Sequence, residues 1–297
     1  MRPDAASPAF VGAAEEALTD SPPPPPARRR TSLRDQIVPI FTSLASVALF
    51  FGVIAYVVTS APEWPRIKRQ FFSLDAMIEA FPAVLRGFWI NIQVWLIALV
   101  AIALWAMVLA LARSLRGPWF APLRIFAIVY VDVFRGLPAL LLVLLFGFGI
   151  PALNLPGLPS SGLFWGTVAM ILCYAAYASE VYRAGIEAVH DGQRMAAKSL
   201  GLTQWQAMRY TILPQAIRNV LPALLNLTVA LQKDVALLSV IGVRDAVREA
   251  QIYTAQTFNY SSLIAAAVLF MLATVPMARL TDYISRRDRL RRLQGAA

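Results

Sequence analysis

One cysteine, Cys173, and one histidine, His190, are the only thiol and the only imidazole in this chain of 297 residues. No internal disulfide can form, and a metal site built from Cys and His ligands is excluded. Charge is scarce as well: 15% of residues are Asp, Glu, Lys or Arg, against about 25% in soluble domains. The sequence holds no GxxxxGK(S/T) phosphate loop and no Gly-x-Ser-x-Gly nucleophile turn, and His190 has no paired nucleophile near it in sequence. Nucleotide binding by that route and intramembrane catalysis are therefore unsupported, and no cofactor is called for.

Apolar residues, by contrast, make up 58% of the chain, and the mean hydropathy is +0.60. They fall into long runs. Residues 37–60 and 87–112 carry no charge, and about 20 apolar residues cross a ~30 Å hydrocarbon core. The first run is too long for the core of a cleaved signal peptide and reads as an uncleaved anchor. A third span starts near Leu123, with Asp132 and Arg135 in its first half and the kink-prone Gly136-Leu137-Pro138 after them. The charge-free stretch 136–179 is too long for one crossing, and Pro151, Pro156 and Pro159 divide it. The fourth span ends near Glu180 and Arg183, the fifth covers about 217–241 and the sixth about 261–284. The expectation is an all-α membrane protein of six transmembrane helices, a five-span core preceded by one extra amino-terminal span.

Five consecutive prolines, Pro22 to Pro26, and Arg28, Arg29 and Arg30 set residues 1–33 apart as a disordered proline-rich cytoplasmic tail. The extra span and an external segment with Trp64, Phe71 and Phe72 occupy 34–83. The transmembrane domain occupies 84–285, with a cytoplasmic loop at 184–216, and a basic cytoplasmic tail closes the chain at 286–297. Trp64, Trp89 and Trp119 are placed at interfaces. With both termini inside, the inner segments hold 19 Lys and Arg residues and the outer segments 7, with Arg135 in the membrane. That asymmetry agrees with the positive-inside rule, so the net charge of +10 is topological and calls for no nucleic acid.

The stretch 193–215, QRMAAKSLGLTQWQAMRYTILPQ, is polar yet patterned for helix. Ala196, Ala197 and Leu200 repeat at helical spacing, Gly201 breaks the run, and Thr203 with Gln206 reads as a capping box opening a second short helix that Pro214 closes. Composition alone favours a helix lying on the membrane surface without a partner. Charges inside spans are costly, about 2.5–3.5 kcal/mol each at mid-bilayer. Lys233 and Asp234, adjacent in the fifth span, either line a polar path that meets a zwitterionic solute or make an interhelical ion pair or snorkel outward. Arg135 is expected to pair with Asp132 one turn back, and Glu180 with Arg183. Ser239 to Gly242 reads as a plain helix end.

Four blocks taken together resemble a family. FRGLPALL (134–141), YASEVYRAGIEAV (177–189), AAKSLGLTQWQAMRYTILPQAIRNVLPALLN (196–226) and LQKDVALLSVIGV (231–243) are similar, in order, to those of polar amino-acid permeases of ABC importers. The resemblance covers about 84–292. It implies a bacterial inner-membrane subunit, itself not an enzyme, that pairs with a second copy or a homologous permease around a central path. It also implies a cytoplasmic ATPase dimer, a periplasmic solute-binding protein and an amino-acid substrate, with membrane lipid around the spans. On that resemblance Ala196, Ala197, Gly201, Leu202, Ile212, Leu213 and Pro214 form the ATPase-coupling elbow, and Lys233, Asp234 and Arg135 belong to the solute path. Met195 stands where the family pattern has a glutamate. An ion-coupled secondary transporter would need more mid-membrane carboxylates than Asp132 and Asp234. A non-transporting scaffold leaves the elbow and Lys233-Asp234 without a role.

Overall fold

The computed structural model describes residues 33–115 and 117–294, without the side chains of 33–37, 39 and 288–294. The expected proline-rich tail lies outside the described residues but for Leu33. Every regular element among the described residues is helical. A chain this apolar has little choice in lipid, where each backbone N–H and C=O must be satisfied within its own segment.

The chain divides into two units, Met1–Trp64 and Pro65–Ala297. The first contains α1 (Leu33–Thr59), of which Ile40–Thr59 is long and apolar enough to cross a membrane. Its two threonine hydroxyls are satisfied locally: Thr42 and Thr59 donate to the carbonyls of Val38 and Ala55, at 2.9 and 2.7 Å.

The second unit opens within the short α2 (Trp64–Phe71), at Pro65, and continues with the 41-residue α3 (Leu74–Ser114), capped by the Ser73 hydroxyl. Thus the last part of the expected external segment, from Leu74, is helix continuous with the span. Next come α4 (Ala121–Gly136) and α5 (Ala139–Leu144), and the two halves of this third hydrophobic segment, Pro118–Gly136 and Ala139–Ala152, meet at 101°. The bend follows from Pro138, which forces Leu137 into extended backbone at φ −96°, ψ 139°. Then follow α6 (Gly162–Glu187), α7 (Asp191–Ser199), the single turn α8 (Gln204–Gln206), α9 (Leu213–Asp234), α10 (Ala246–Thr257) and α11 (Ser261–Gln294). Together with α1, four runs of this unit pass as candidate spans: Trp64–Ser114, Gly162–Glu187, Gln204–Ile241 and Ser261–Arg287.

Small residues hold the bundle together. Ala98, Ala106 and Ala112 of α3 and Ala169, Ala175, Ala176 and Ala178 of α6 are buried in one core. Between membrane helices no hydrophobic drive exists, so close backbone approach over alanine and glycine supplies the packing. Large apolar side chains of α3 such as Ile97, Val100 and Leu104 face outward instead.

Pro214 does not end the second elbow helix. A π-helical stretch, Ala207–Ile212, runs into α9, and a 3₁₀ stretch, Val235–Ile241, continues it, so Gln204–Ile241 is one run of 38 residues. Proline lacks an N–H and its ring presses on the carbonyl four residues back. The widened turn relieves this: Leu213 N–H reaches back five residues to Met208 O. The run ends where expected, at Gly242 in left-handed backbone.

Candidate functional site

The elbow is built from local signals. His190 caps α7, its Nδ1 accepting from Gly192 N at 3.1 Å, and Arg194 Nη2 donates to Ile186 O at 3.1 Å, tying α7 to the end of α6. At the other end Gly201 N donates to Lys198 O at 2.9 Å and Leu202 N to Ala197 O at 3.1 Å, a closure that needs left-handed backbone at the glycine. Gly201 has φ +74°. The capping box is present in both directions: Thr203 Oγ1 accepts from Gln206 N and Gln206 Oε1 from Thr203 N, at 3.3 and 2.9 Å.

The elbow residues divide into two sets. Ala197 and Ile212 are buried, Ile212 in a small cluster with Val189 and Ala216, and Leu202 is half-buried. Ala196, Gly201, Leu213 and Pro214 are exposed. Around them stand four large apolar side chains: Met195, Leu200, Trp205 and Tyr210 are 63%, 80%, 71% and 68% exposed. So much apolar surface on an otherwise polar loop is a contact surface in waiting. Sequence reading noted Met195 only as a departure and passed over Trp205 and Tyr210.

The spans carry a second arrangement that was not foreseen. Tyr174, Tyr177 and Glu180 repeat every three residues along α6, so they share one face. Tyr174 donates to Asp234 Oδ2 at 2.6 Å. The guanidinium of Arg135 lies over the Tyr177 ring, 5.6 Å from its centroid, and Tyr177 donates to Arg135 O at 3.4 Å. Arg135 Nη1 is 3.9 Å from Glu180 Oε1, so its carboxylate partner is Glu180, not Asp132. Glu180 also pairs with Arg113 and, at 2.8 Å, with Arg183, the pair expected from spacing. Asp234 and Arg135 are thus joined by an α6 tyrosine ladder, the two rings 6.3 Å apart. Lys233 is exposed on the neighbouring face and makes no ion pair with Asp234 among the described residues.

A third polar node lies at the opposite end of the bundle. Asp245, fully buried, caps α10: its Oδ1 accepts from Arg248 N at 2.8 Å and its Oδ2 from Asn91 Nδ2 at 3.0 Å. Asn91 Oδ1 in turn accepts from Ala246 N at 3.1 Å. Gly87 of α3 permits the approach, since a Cβ there would overlap the backbone of Asp245 and Ala246. The available signal was Asn91, an amide inside an apolar run.

Burial pushes the Asp245 carboxyl from 3.8 up to about 6, although the bond from Asn91 opposes the shift. Between those values the folded chain holds a proton that the unfolded chain has released. Stability therefore falls as pH rises from about 4 to 6, by roughly 3 kcal/mol at 1.36 kcal/mol per unit, and levels off above. Thermal unfolding in detergent across pH 4–8 should show this slope in the wild type and lose it in Asp245→Asn. The same slope in both would assign it to other groups.

Comparison with known proteins adds an independent line. Residues 115–290 match the family described as binding-protein-dependent transport system inner membrane component. The chain is 33% identical over 222 residues to the glutamate/aspartate import permease protein GltK of Escherichia coli, covering 73% of this chain and 98% of that protein. It is 34% identical over 203 residues to the arginine transport system permease protein ArtQ of Bacillus subtilis, covering 68% and 90%. Among solved structures, a crystal structure of an amino acid ABC transporter with histidines aligns with a TM-score of 0.66 at 33% identity, over 72% of this chain and 98% of that one. The MetNI methionine ABC transporter in an inward-facing form shares the fold alone, with a TM-score of 0.57 at 16% identity over 70% and 97%.

Proposed function

The chain belongs to the family of inner-membrane components of binding-protein-dependent transport systems, and from that membership we propose that it carries polar amino acids or close analogues as the permease subunit of an ABC importer. The observation that carries the reading is the elbow: a closed, capped double turn that buries Ala197 and Ile212 and presents Ala196, Gly201, Leu213, Pro214 and four large apolar side chains. A surface helix with no partner would have no use for such a knob. Its partner is a cytoplasmic ATPase dimer, which supplies the hydrolysis this subunit does not perform. The contact at Met195 is apolar where the family pattern carries a glutamate.

In this reading two permeases, identical or homologous, enclose a central path, and a periplasmic solute-binding protein delivers the solute. Lys233, Asp234 and Arg135 meet its charges, with Tyr174 and Tyr177 holding the last two in place. Both termini are cytoplasmic. The segment 34–83 adds a sixth span to the five-span domain of 84–285, and 286–297 is a basic cytoplasmic tail. The coupling loop, 184–216, moves as a rigid body with the end of α6, to which Arg194 fastens it.

Affinity capture of the tagged chain from its native membrane tests the partner: an ABC ATPase should come down with it, and its absence after gentle extraction would point to ion-coupled uptake instead. For the path, Asp234→Asn keeps an acceptor for Tyr174 while removing the charge. A hydrogen bond to a charged group is worth about 1.5–3 kcal/mol, so uptake in vesicles should drop roughly tenfold or more with assembly intact. Unchanged uptake would make Asp234 a structural partner of Tyr174 and nothing else.

A further inference from the structure

Three of the 7 cations on the proposed outer side, Arg66, Lys68 and Arg69, crowd onto α2. All three are exposed, and none has a side-chain partner among the described residues. On an eight-residue helix Arg66 and Arg69 point away from the face that holds Ile67 and Phe71. We propose that this basic face binds the phosphate headgroups of anionic phospholipids, phosphatidylglycerol above all, in the outer leaflet; the choice of leaflet rests on the topology proposed above.

Depth carries the argument. The carboxyl end of α2 is fastened to the start of α11: Tyr260 N donates to Gln70 O at 2.7 Å, Asn259 Nδ2 to Arg69 O at 3.0 Å, and Ser73 N to Ser261 Oγ at 3.0 Å. Phe71 stacks on Tyr260, centroids 5.0 Å apart. From Ser261 the α11 sequence is free of charge only as far as Ala278. Those residues span about 27 Å, barely the ~30 Å hydrocarbon core, so Ser261 stands at its edge. Residues bonded to Ser261 and Tyr260 lie in the headgroup layer, and the carboxyl end of α2 is held there by its backbone.

The local shape suits a lipid. An open hollow of about 470 Å³ is lined by the cations Lys68 and Arg69, the apolar Phe72 and Leu74, and Asp75, together with Pro65 and Ser73. Leu74 at the hollow and Ile78 one turn further along α3 are exposed apolar side chains along which an acyl chain can lie. Lys68 and Arg69 against Asp75 leave the hollow net positive, Arg66 adds a third cation on the same helix, and Asp75 can accept from the glycerol hydroxyls of a phosphatidylglycerol headgroup. An amphipathic basic helix at this depth combines apolar burial with attraction to anionic lipid.

Each cation near an anionic surface contributes about fivefold in affinity, so the three together give roughly a hundredfold preference over neutral lipid. The test is native mass spectrometry of the full chain in detergent, titrated with phosphatidylglycerol or phosphatidylcholine. The wild type should retain phosphatidylglycerol preferentially, and Arg66→Gln/Lys68→Gln/Arg69→Gln should fall to parity. Arg66→Lys/Arg69→Lys, which keeps the charge, should hold most of the preference and controls for folding. A triple variant that keeps the wild-type lipid preference overturns the proposal. So does one that keeps it while losing association with an acidic solute-binding protein, which would make that protein the occupant. Labelling of Arg66→Cys in whole cells by an impermeant maleimide reports the topology separately, and ATPase capture reports the importer reading, so failure of either is distinguishable from failure of the lipid site.

Discussion

Gly201→Pro should abolish capture of the ATPase while leaving the chain inserted in the membrane. Three features of the elbow make the substitution severe. The backbone at Gly201 is left-handed, φ +74°, whereas proline is fixed near −65°. Its N–H, which closes α7 on Lys198 O, disappears. Leu200, at φ −82° and ψ 8°, sits in backbone that a following proline disfavours. Together these cost about 3 kcal/mol or more, enough to open a loop that stands on a few capping bonds. The damage stays local, because Gly201 is exposed and nothing lies within 4 Å of where its Cβ would be. Graded controls sharpen the test. Gly201→Asn, which tolerates left-handed backbone, should retain most of the ATPase, and Gly201→Ala, strained by about 1–2 kcal/mol, should fall between. If Gly201→Pro brought down the ATPase at wild-type levels, the elbow would not be the coupling site.

The elbow was legible in the sequence because its determinants are local. A helix stop, a left-handed glycine and a capping box act within a few residues, and each is where the residue types put it. The long apolar helices were legible for a related reason, since length and lack of charge are read along the chain. Pro214 misled because its local rule, that proline ends helices, was overridden by a π-helical turn that lets the helix pass. The third hydrophobic segment announced a kink at Pro138, and the chain bends there by 101°, an angle that no residue type specifies. The tyrosine ladder and the Asn91–Asp245 node were invisible for a third reason. Their partners are 60 and 154 residues apart, and no spacing rule pairs an α6 phenol with Asp234 or an amide in α3 with a cap on α10. Arg135 shows the same limit: its nearest carboxylate in sequence is Asp132, while the fold offers Glu180 from another helix.

Glu180 is the residue whose loss should cost the most stability. It is the one carboxylate that Arg113 from α3, Arg135 from α4 and Arg183 from α6 share, and its side chain is only 18% exposed. Removing one partner from a buried ion pair costs about 3–5 kcal/mol, chiefly because the other charge is left unpaired. Partial exposure puts this cluster at the lower end, about 3 kcal/mol. Glu180→Ala should then lower the thermal midpoint in detergent by roughly 10 °C for a unit of this size. The arginines should respond unequally. Arg183 also reaches Glu187 at 2.7 Å, an exposed pair of small value, so Arg183→Ala should cost well under 1 kcal/mol. Arg113 has Glu180 alone among the described residues and is 16% exposed, so Arg113→Ala should approach the cost of Glu180→Ala. That ordering separates a structural clasp from a solvated cluster, in which all three changes would be nearly neutral. The clasp has a mechanical consequence. It joins the ends of α3 and α4 to α6 seven residues before α6 ends at Glu187, next to the elbow. On the coupling proposed above, a push on the elbow would therefore reach the face that bears Tyr174 and Tyr177, and with it Asp234 and Arg135. A Glu180→Ala chain that still inserts and captures the ATPase should show uptake uncoupled from ATP hydrolysis. Normal coupling in that variant would mean that the elbow acts through α9 alone.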